Sequence, residues 1–297
     1  MPQILFNKDC GLLAHPSSLP NRFGIGDFGP ASIQWIEALA AHGQNTWQIL
    51  PLNPAGYGDS PYQGLSAFAA NPVFISPEDL NTRGLIDDSE LMALQLPLGE
   101  RVDYPQVYSN KTELTTRAAL QFFTLETSHP LRVEYHVFCQ AESDWLKNFA
   151  LFSALKASFG GVAWTDWPAR YRDRDAVALE SILIELKSDI ERVYFEQFIL
   201  RLQWTTVQER AREHDAHVQP VAEALEPHAL GLVERPERAR VARAPLVRAP
   251  LGALVPRLRR RWRRGRAVAV AFGSRRVGPR ACRRCCGLRR SGASGGR

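Results

Sequence analysis

TWQILPLNPAGYGDSPYQG, residues 46–64, is the stretch whose reading decides the fold. The segment Asn45 to Leu52 is short, bounded and apolar, which predicts a strand. It runs through Pro-Leu-Asn-Pro into Gly56-Tyr57-Gly58-Asp59-Ser60-Pro61-Tyr62-Gln63. Two glycines, an acid, a hydroxyl and two tyrosines thus follow a strand end, where α/β proteins build their sites.

Upstream, Gly11 to Leu19 is an apolar run that turns polar and meets Pro20, which predicts a buried strand ending in a loop. Gly24, Gly26 and Gly29 satisfy a G-x-G-x-x-G pattern, but the loop lies far beyond the strand and Asp27 brings negative charge into it. A phosphate cradle is therefore not inferred, and Asp27 is expected to fix its own glycine loop. Between Pro30 and His42, Ile33, Ile36, Leu39 and Ala40 share one helical face, with Pro30 at the first turn and Gly43 past the end. Strand, loop, helix and strand make a βαβ unit, which requires parallel pairing and a right-handed crossover.

Downstream, Ser76-Pro77-Glu78-Asp79 reads as a helix start after Leu65 to Ile75. From about Ile86 the βα alternation gives way to helical patterns, one over Val133 to Phe159 and another over Ser181 to Arg212. The aromatics there read as core. Three divisions follow: first βα units over 1–85, a helical insertion subdomain over 86–216, and a tail of low order over 217–297.

Charge separates the tail from the rest. Residues 219–297 hold 20 of the 37 basic residues, all Arg, and 4 of the 31 acids, a net of +16; residues 1–218 carry −10. Beyond Val218 there is no Asp and no Tyr, and Trp262 and Phe272 are the aromatics. An Arg-Ala-Pro-Gly-Leu-Val bias of this kind fits an Arg-rich tail or the translation of a GC-rich gene out of frame, and the latter is the preferred account. Arg261, Arg263, Arg264 and Arg266 would attract nucleic acid only nonspecifically. Cys282, Cys285 and Cys286 lack a second ligand pair for zinc, so neither metal nor cofactor is predicted. Cys10 and Cys139 stand alone, the N-terminus lacks a signal-peptide pattern, and no run reaches a membrane span, which together predict a cytoplasmic protein.

HPSSLPNRFGIGDFG at 15–29, followed by TWQILPLNPAGYGDSPYQGLSAFAANPVFISPEDL at 46–80, resembles the amino-terminal signature of the 4-α-glucanotransferases, the amylomaltases of glycoside hydrolase family 77. The resemblance continues more loosely to Ala216. It implies an α/β fold, here part of a (β/α)8 barrel with inserted helices, acting on α-1,4-glucans such as maltodextrins. It also implies a retaining transfer between glucans by two carboxylates about 5 Å apart, one nucleophile and one acid/base, without a cofactor. By motif, Tyr62 is similar to the family's stacking platform beside the scissile bond and Tyr57 to an aromatic farther out. Ser60 and Asp59 would be hydroxyl partners, since pyranose rings offer flat C–H faces to aromatic rings and hydroxyls at the edge.

The chain departs from the family after Ala216, where a Gly-Asp-Leu-Pro-like strand should follow and His217-Val218-Gln219-Pro220-Val221-Ala222-Glu223 stands instead. With no Asp in residues 219–297, no nucleophile is assigned. The sequence therefore predicts a truncated, inactive member of the family. A non-catalytic glucan-binding remnant is the alternative.

Overall fold

Among the described residues, the first α-helix is bounded by the proline and glycine that the sequence places at its ends. In the computed structural model, which describes residues 10–96 and 99–220, α1 runs over Pro30–Ala41, with proline in its first turn and Gly43 at a φ of 69° just past its end. Ile36 and Leu39 are buried, and Ile33 and Ala40 are half-buried on the predicted face. The helix joins β1 (Gly11–Leu13) to β2 (Thr46–Ile49), which pair in parallel with Leu12 opposite Trp47. Trp47 and Ile49 point into the core, and the Trp47 indole Nε1 donates to Ala14 O at 2.6 Å, locking the two strand ends together.

Two differences from the sequence reading appear here. The run predicted as a buried strand is extended only over Gly11–Leu13; Pro16–Ser18 is a 3-10 turn, and β1 itself is exposed at the outer side of the sheet order β1-β2-β3. An apolar run does not reveal whether its strand is central or at an edge. The boundary drawn between 216 and 217 falls immediately before a third strand. β3 (His217–Pro220) pairs in parallel with β2, from Thr46 opposite His217 to Ile49 opposite Pro220, with Val218 half-buried against the core. Its residues carry little strand propensity; the edge of β2 supplies the hydrogen bonds that order them. Residues 221–297, with the Arg-rich segment and its three cysteines, lie outside the described residues.

The helices between β2 and β3 follow local signals closely at their starts. α2 (Pro77–Thr82) begins with Ser76 accepting from Asp79 N, and α3 (Asp88–Ala93) has a full capping box between Asp87 and Glu90. α4 (Tyr104–Thr124) is capped by Asp103, and α5 (Pro130–Ala141) by the His129 side chain. The long pattern over Val133 to Phe159 is divided: α6 (Ser143–Ser158) starts after Glu142, whose carboxylate is drawn aside by Trp145 Nε1 and Arg201. The pattern over Ser181 to Arg212 is divided too, with α7 (Ala169–Arg172) and α8 (Ala176–Glu185) preceding a break at Leu186 and then α9 (Lys187–Glu213).

α9 is the mast of the structure. Its Phe195, Phe198, Ile199, Leu200 and Trp204 are buried in one hydrophobic cluster with β2, α1, α4 and α5. Two buried glutamines bind it to the segment before α2. Gln197 exchanges a pair of 2.9 Å hydrogen bonds with the Ala70 backbone, and Gln203 accepts from Ser76 N at 2.8 Å and donates to Asp79. Each amide satisfies backbone groups that no strand reaches. A second, smaller cluster of Leu151, Leu155, Trp167 and Ile182 lies among α6, α7 and α8.

Candidate functional site

The loop that follows β2 is closed at its neck. Gly56 N donates to Gln63 O at 2.7 Å, Leu65 N donates to Pro54 O at 2.9 Å, and Ala55 and Gly64 form an antiparallel bridge. The Asn53 amide spans that neck, donating to Pro61 O and accepting from Gly64 N, both at 3.2 Å. A Cβ on Gly64 would lie 1.3 Å from the Asn53 amide, so a larger residue there would push that side chain out of the neck. At the tip, Gly58 and Asp59 both adopt positive φ, 69° and 54°. Asp tolerates the left-handed region better than most side chains, and here the turn aims its carboxylate inward.

Inward lies a narrow cleft at the carboxyl ends of β1 and β2, lined among others by His15, Asn53, Asp59, Phe74, Tyr104 and Tyr108. Asp59 Oδ1 accepts from the Tyr108 hydroxyl at 3.1 Å, tying the loop to α4. Burial, then the Asp59 charge, pushes the Tyr108 phenol up to about 12, and the same causes raise Tyr104. Both phenols therefore stay protonated as donors at neutral pH. His15 packs edge-on against Phe74, ring centroids 5.3 Å apart, and burial lowers its imidazole to about 4, so it is neutral in the cleft.

The structure brings the four residues singled out by sequence onto one loop but gives them different surroundings. Asp59 and Pro61 line the cleft, whereas Tyr62 stands 62% exposed outside its lining and Ser60 is half-buried, its carbonyl closing the turn to Gln63 N at 3.1 Å. Tyr57 opens the 3-10 turn Tyr57–Asp59, and its side chain lies outside the described part. His15, Asn53, Tyr104 and Tyr108 were missed. Tyr104 and Tyr108 sit four apart just after the Asp103 cap, a spacing that puts both on one helix face, but only the fold shows that this face meets the loop.

The glycine loop before α1 has a different task from anion binding. A Cβ on Gly26 would lie 2.0 Å from Pro16 O, and one on Gly29 2.3 Å from Ser76 Oγ, so these glycines permit close packing. Asp27, expected to turn its charge into the loop, is fully buried; it accepts from Gly29 N at 3.0 Å and meets Lys111 Nζ at 3.3 Å. Lys111 also donates to Ile75 O. Among the described residues, no cluster of His, Cys, Asp or Glu is arranged to hold a metal ion, and no helix is long and apolar enough to cross a membrane.

An α/β protein with a parallel sheet, whose aromatic and hydroxyl-bonding side chains gather at the carboxyl ends of its strands, is the class that this geometry defines. A family profile described as 4-alpha-glucanotransferase matches residues 14–220. The chain belongs to the 4-alpha-glucanotransferase family, glycoside hydrolase family 77. It is 40% identical over 210 residues to the 4-alpha-glucanotransferase of Synechocystis sp., covering 70% of this chain and 41% of that protein. The Streptococcus pneumoniae 4-alpha-glucanotransferase is 35% identical over 218 residues, 73% of this chain and 42% of its own length. In three dimensions the chain is similar to the Streptococcus agalactiae amylomaltase solved with acarbose, with a TM-score of 0.66, 29% identity, and coverage of 71% of this chain and 42% of that one. The chain thus spans about two fifths of the length of the curated relatives it matches.

Proposed function

We propose that the chain forms the first part of a (β/α)8 glucanotransferase barrel and binds α-1,4-glucans at the tyrosine loop without carrying out transfer by itself. One observation carries this reading: among the described residues, Asp59 is the single acid lining the strand-end cleft. Retaining transfer needs two carboxylates about 5 Å apart, one ionised and one protonated, and a lone acid supplies at most one of the two. What the loop offers is recognition. Tyr62 presents an exposed aromatic face, and the neighbouring Asp59 and Pro61 lead into the cleft, where the Asp59 carboxylate keeps acceptor capacity beyond its bond from Tyr108. Glucan is the partner whose flat C–H faces and equatorial hydroxyls match that set.

Two measurements on the purified chain test this. Incubation with maltotriose is expected to leave it unchanged; release of glucose with longer dextrins would overturn the claim that transfer is absent. Titration with maltoheptaose is expected to show weak binding that Tyr62→Ala removes. Binding unaffected by that substitution would remove the tyrosine loop from the account.

A further inference from the structure

Helices α6, α7 and α8 enclose a cavity of about 290 Å³ that shares no residue with the strand-end cleft. Leu151, Phe152 and Leu155 of α6 form its floor, and Trp164, Trp167 and Tyr171 its aromatic walls. The two tryptophans bracket the 3-10 turn Trp164–Asp166, where residues three apart eclipse one another and so reach the same side. Trp167 is held inside: the rings of Phe152 and Phe159 each lie 5.6 Å from it, and its Nε1 donates to Val162 O at 3.4 Å. Trp164 is left 55% exposed at the mouth.

The rim is polar but locally compensated. Arg172 grips the Asp173 carboxylate through Nε at 2.9 Å and Nη2 at 3.1 Å, and Arg174 Nη2 donates to Asn148 Oδ1 at 2.9 Å. An anion would find the Arg172 charge already answered, and a purely apolar ligand would leave the rim donors and acceptors facing it. An amphipathic neutral ring, with one apolar face and hydroxyls around its edge, satisfies both parts. At about 290 Å³ the space is at the small end of ligand sites, enough for one such ring rather than an extended oligomer.

We propose that this cavity is a remote docking site for α-glucan, seating one glucose ring of a longer chain against Trp164 with its hydroxyls on the Arg172–Asp173 pair. The proposal rests on the reading of the chain as a glucan binder. It adds a second point of attachment on the same polymer. Two weak sites on one polymer act through effective concentration, so long glucans gain affinity that short ones do not.

Affinity electrophoresis of the full chain through gels containing glycogen tests it, with Tyr62→Ala, Trp164→Ala and Trp164→Tyr run beside the parent. Trp164→Ala is expected to weaken retardation about fivefold, the worth of one aromatic stacking contact, and Trp164→Tyr to restore most of it. Trp164 is exposed, so an unchanged thermal melt is expected for both variants. Parental retardation by Trp164→Ala overturns the proposal, and so does loss in Tyr62→Ala alone, which leaves the tyrosine loop as the binding surface. Loss in Trp164→Ala alone supports the cavity and removes the loop reading instead. Laurate, an apolar tail with an anionic head, is the competing occupant: protection of Trp164 fluorescence by laurate with no response to glycogen overturns the proposal.

Discussion

Two titratable groups held away from bulk water, half-buried His15 in the cleft and fully buried Asp27 in the glycine loop, act on stability in opposite directions. His15 titrates at about 4 in the fold against 6.5 in the open chain because burial disfavours its cation. Its folded value is depressed, so its contribution is complete above 6.5 and is lost as pH falls toward 4. The gap, at about 1.36 kcal/mol per pH unit, is worth roughly 3 kcal/mol. Asp27 is the reverse case. Burial raises its carboxyl to about 6 even with Lys111 beside it, so its contribution is complete at low pH and is lost as pH rises through 6. Between pH 4 and 6 the two trends oppose each other and flatten the parent curve. His15→Gln should therefore gain stability relative to the parent by roughly 3 kcal/mol on going from pH 7 to pH 4, measured as urea midpoints. Parallel curves would show that the imidazole titrates alike in the folded and unfolded chain, so that burial does not depress it. Lys111→Met strips the buried carboxylate of its counter-ion and should cost about 3–5 kcal/mol at pH 8, with much of the loss recovered at pH 5 as Asp27 takes up a proton. A loss independent of pH would mean that the methylene packing of Lys111, not its charge, matters there.

At the level of elements, the join between α9 and the segment before α2 is made by side-chain amides instead of by strand pairing. Gln197 supplies Ala70 with both an acceptor and a donor in a fully buried setting. Gln197→Leu keeps the bulk but leaves two backbone groups unpaired, so a loss of about 2–4 kcal/mol in urea unfolding is expected, larger than for an exposed α9 site such as Thr206→Ala. A loss below about 1 kcal/mol would mean that water enters to replace the amide. This clamp was not legible in the sequence, because a glutamine on a helix face reads as solvated until the backbone it serves is known. The βαβ unit was legible, since Pro30, Gly43 and the face built on Ile36 and Leu39 are local signals. So was the loop around Asp59 and Tyr62, for its glycines and Asp announce a turn. The breaks at Glu142 and Leu186 were not, as hydrophobic periodicity runs on through both. At the Glu142 break the carboxylate bonds Arg201, 59 positions away, a partner that no local pattern announces. The cleft partners Tyr104 and Tyr108 belong to the same category: their chemistry is visible in the chain, and their position is a product of packing.

Across the described residues as a whole, stability is divided unevenly between the two hydrophobic clusters. The larger one draws on residues from Leu19 to Ala216 and buries Trp47, Trp204, Phe122, Phe195 and Phe198 nearly completely. The smaller one rests on Leu151, Leu155, Trp167 and Ile182, and α8 beside it exposes Val177 and Ile184 to solvent. Burial of apolar surface is worth about 25 cal/mol per Å², so a helix held by one buried side chain opens at far smaller cost than a helix such as α9, whose buried residues run from Val193 to Ala211. Hydrogen exchange followed by mass spectrometry on the full chain should show α7 and α8 exchanging well before α9, α4 and β2, with the slowest peptides spanning 193–207. The remote cavity is walled by the fast-exchanging helices, so a saturating glucan seated there should slow exchange over 169–185 while leaving α9 unchanged. Equal protection of α8 and α9 without ligand would show that the two clusters open together as one cooperative body.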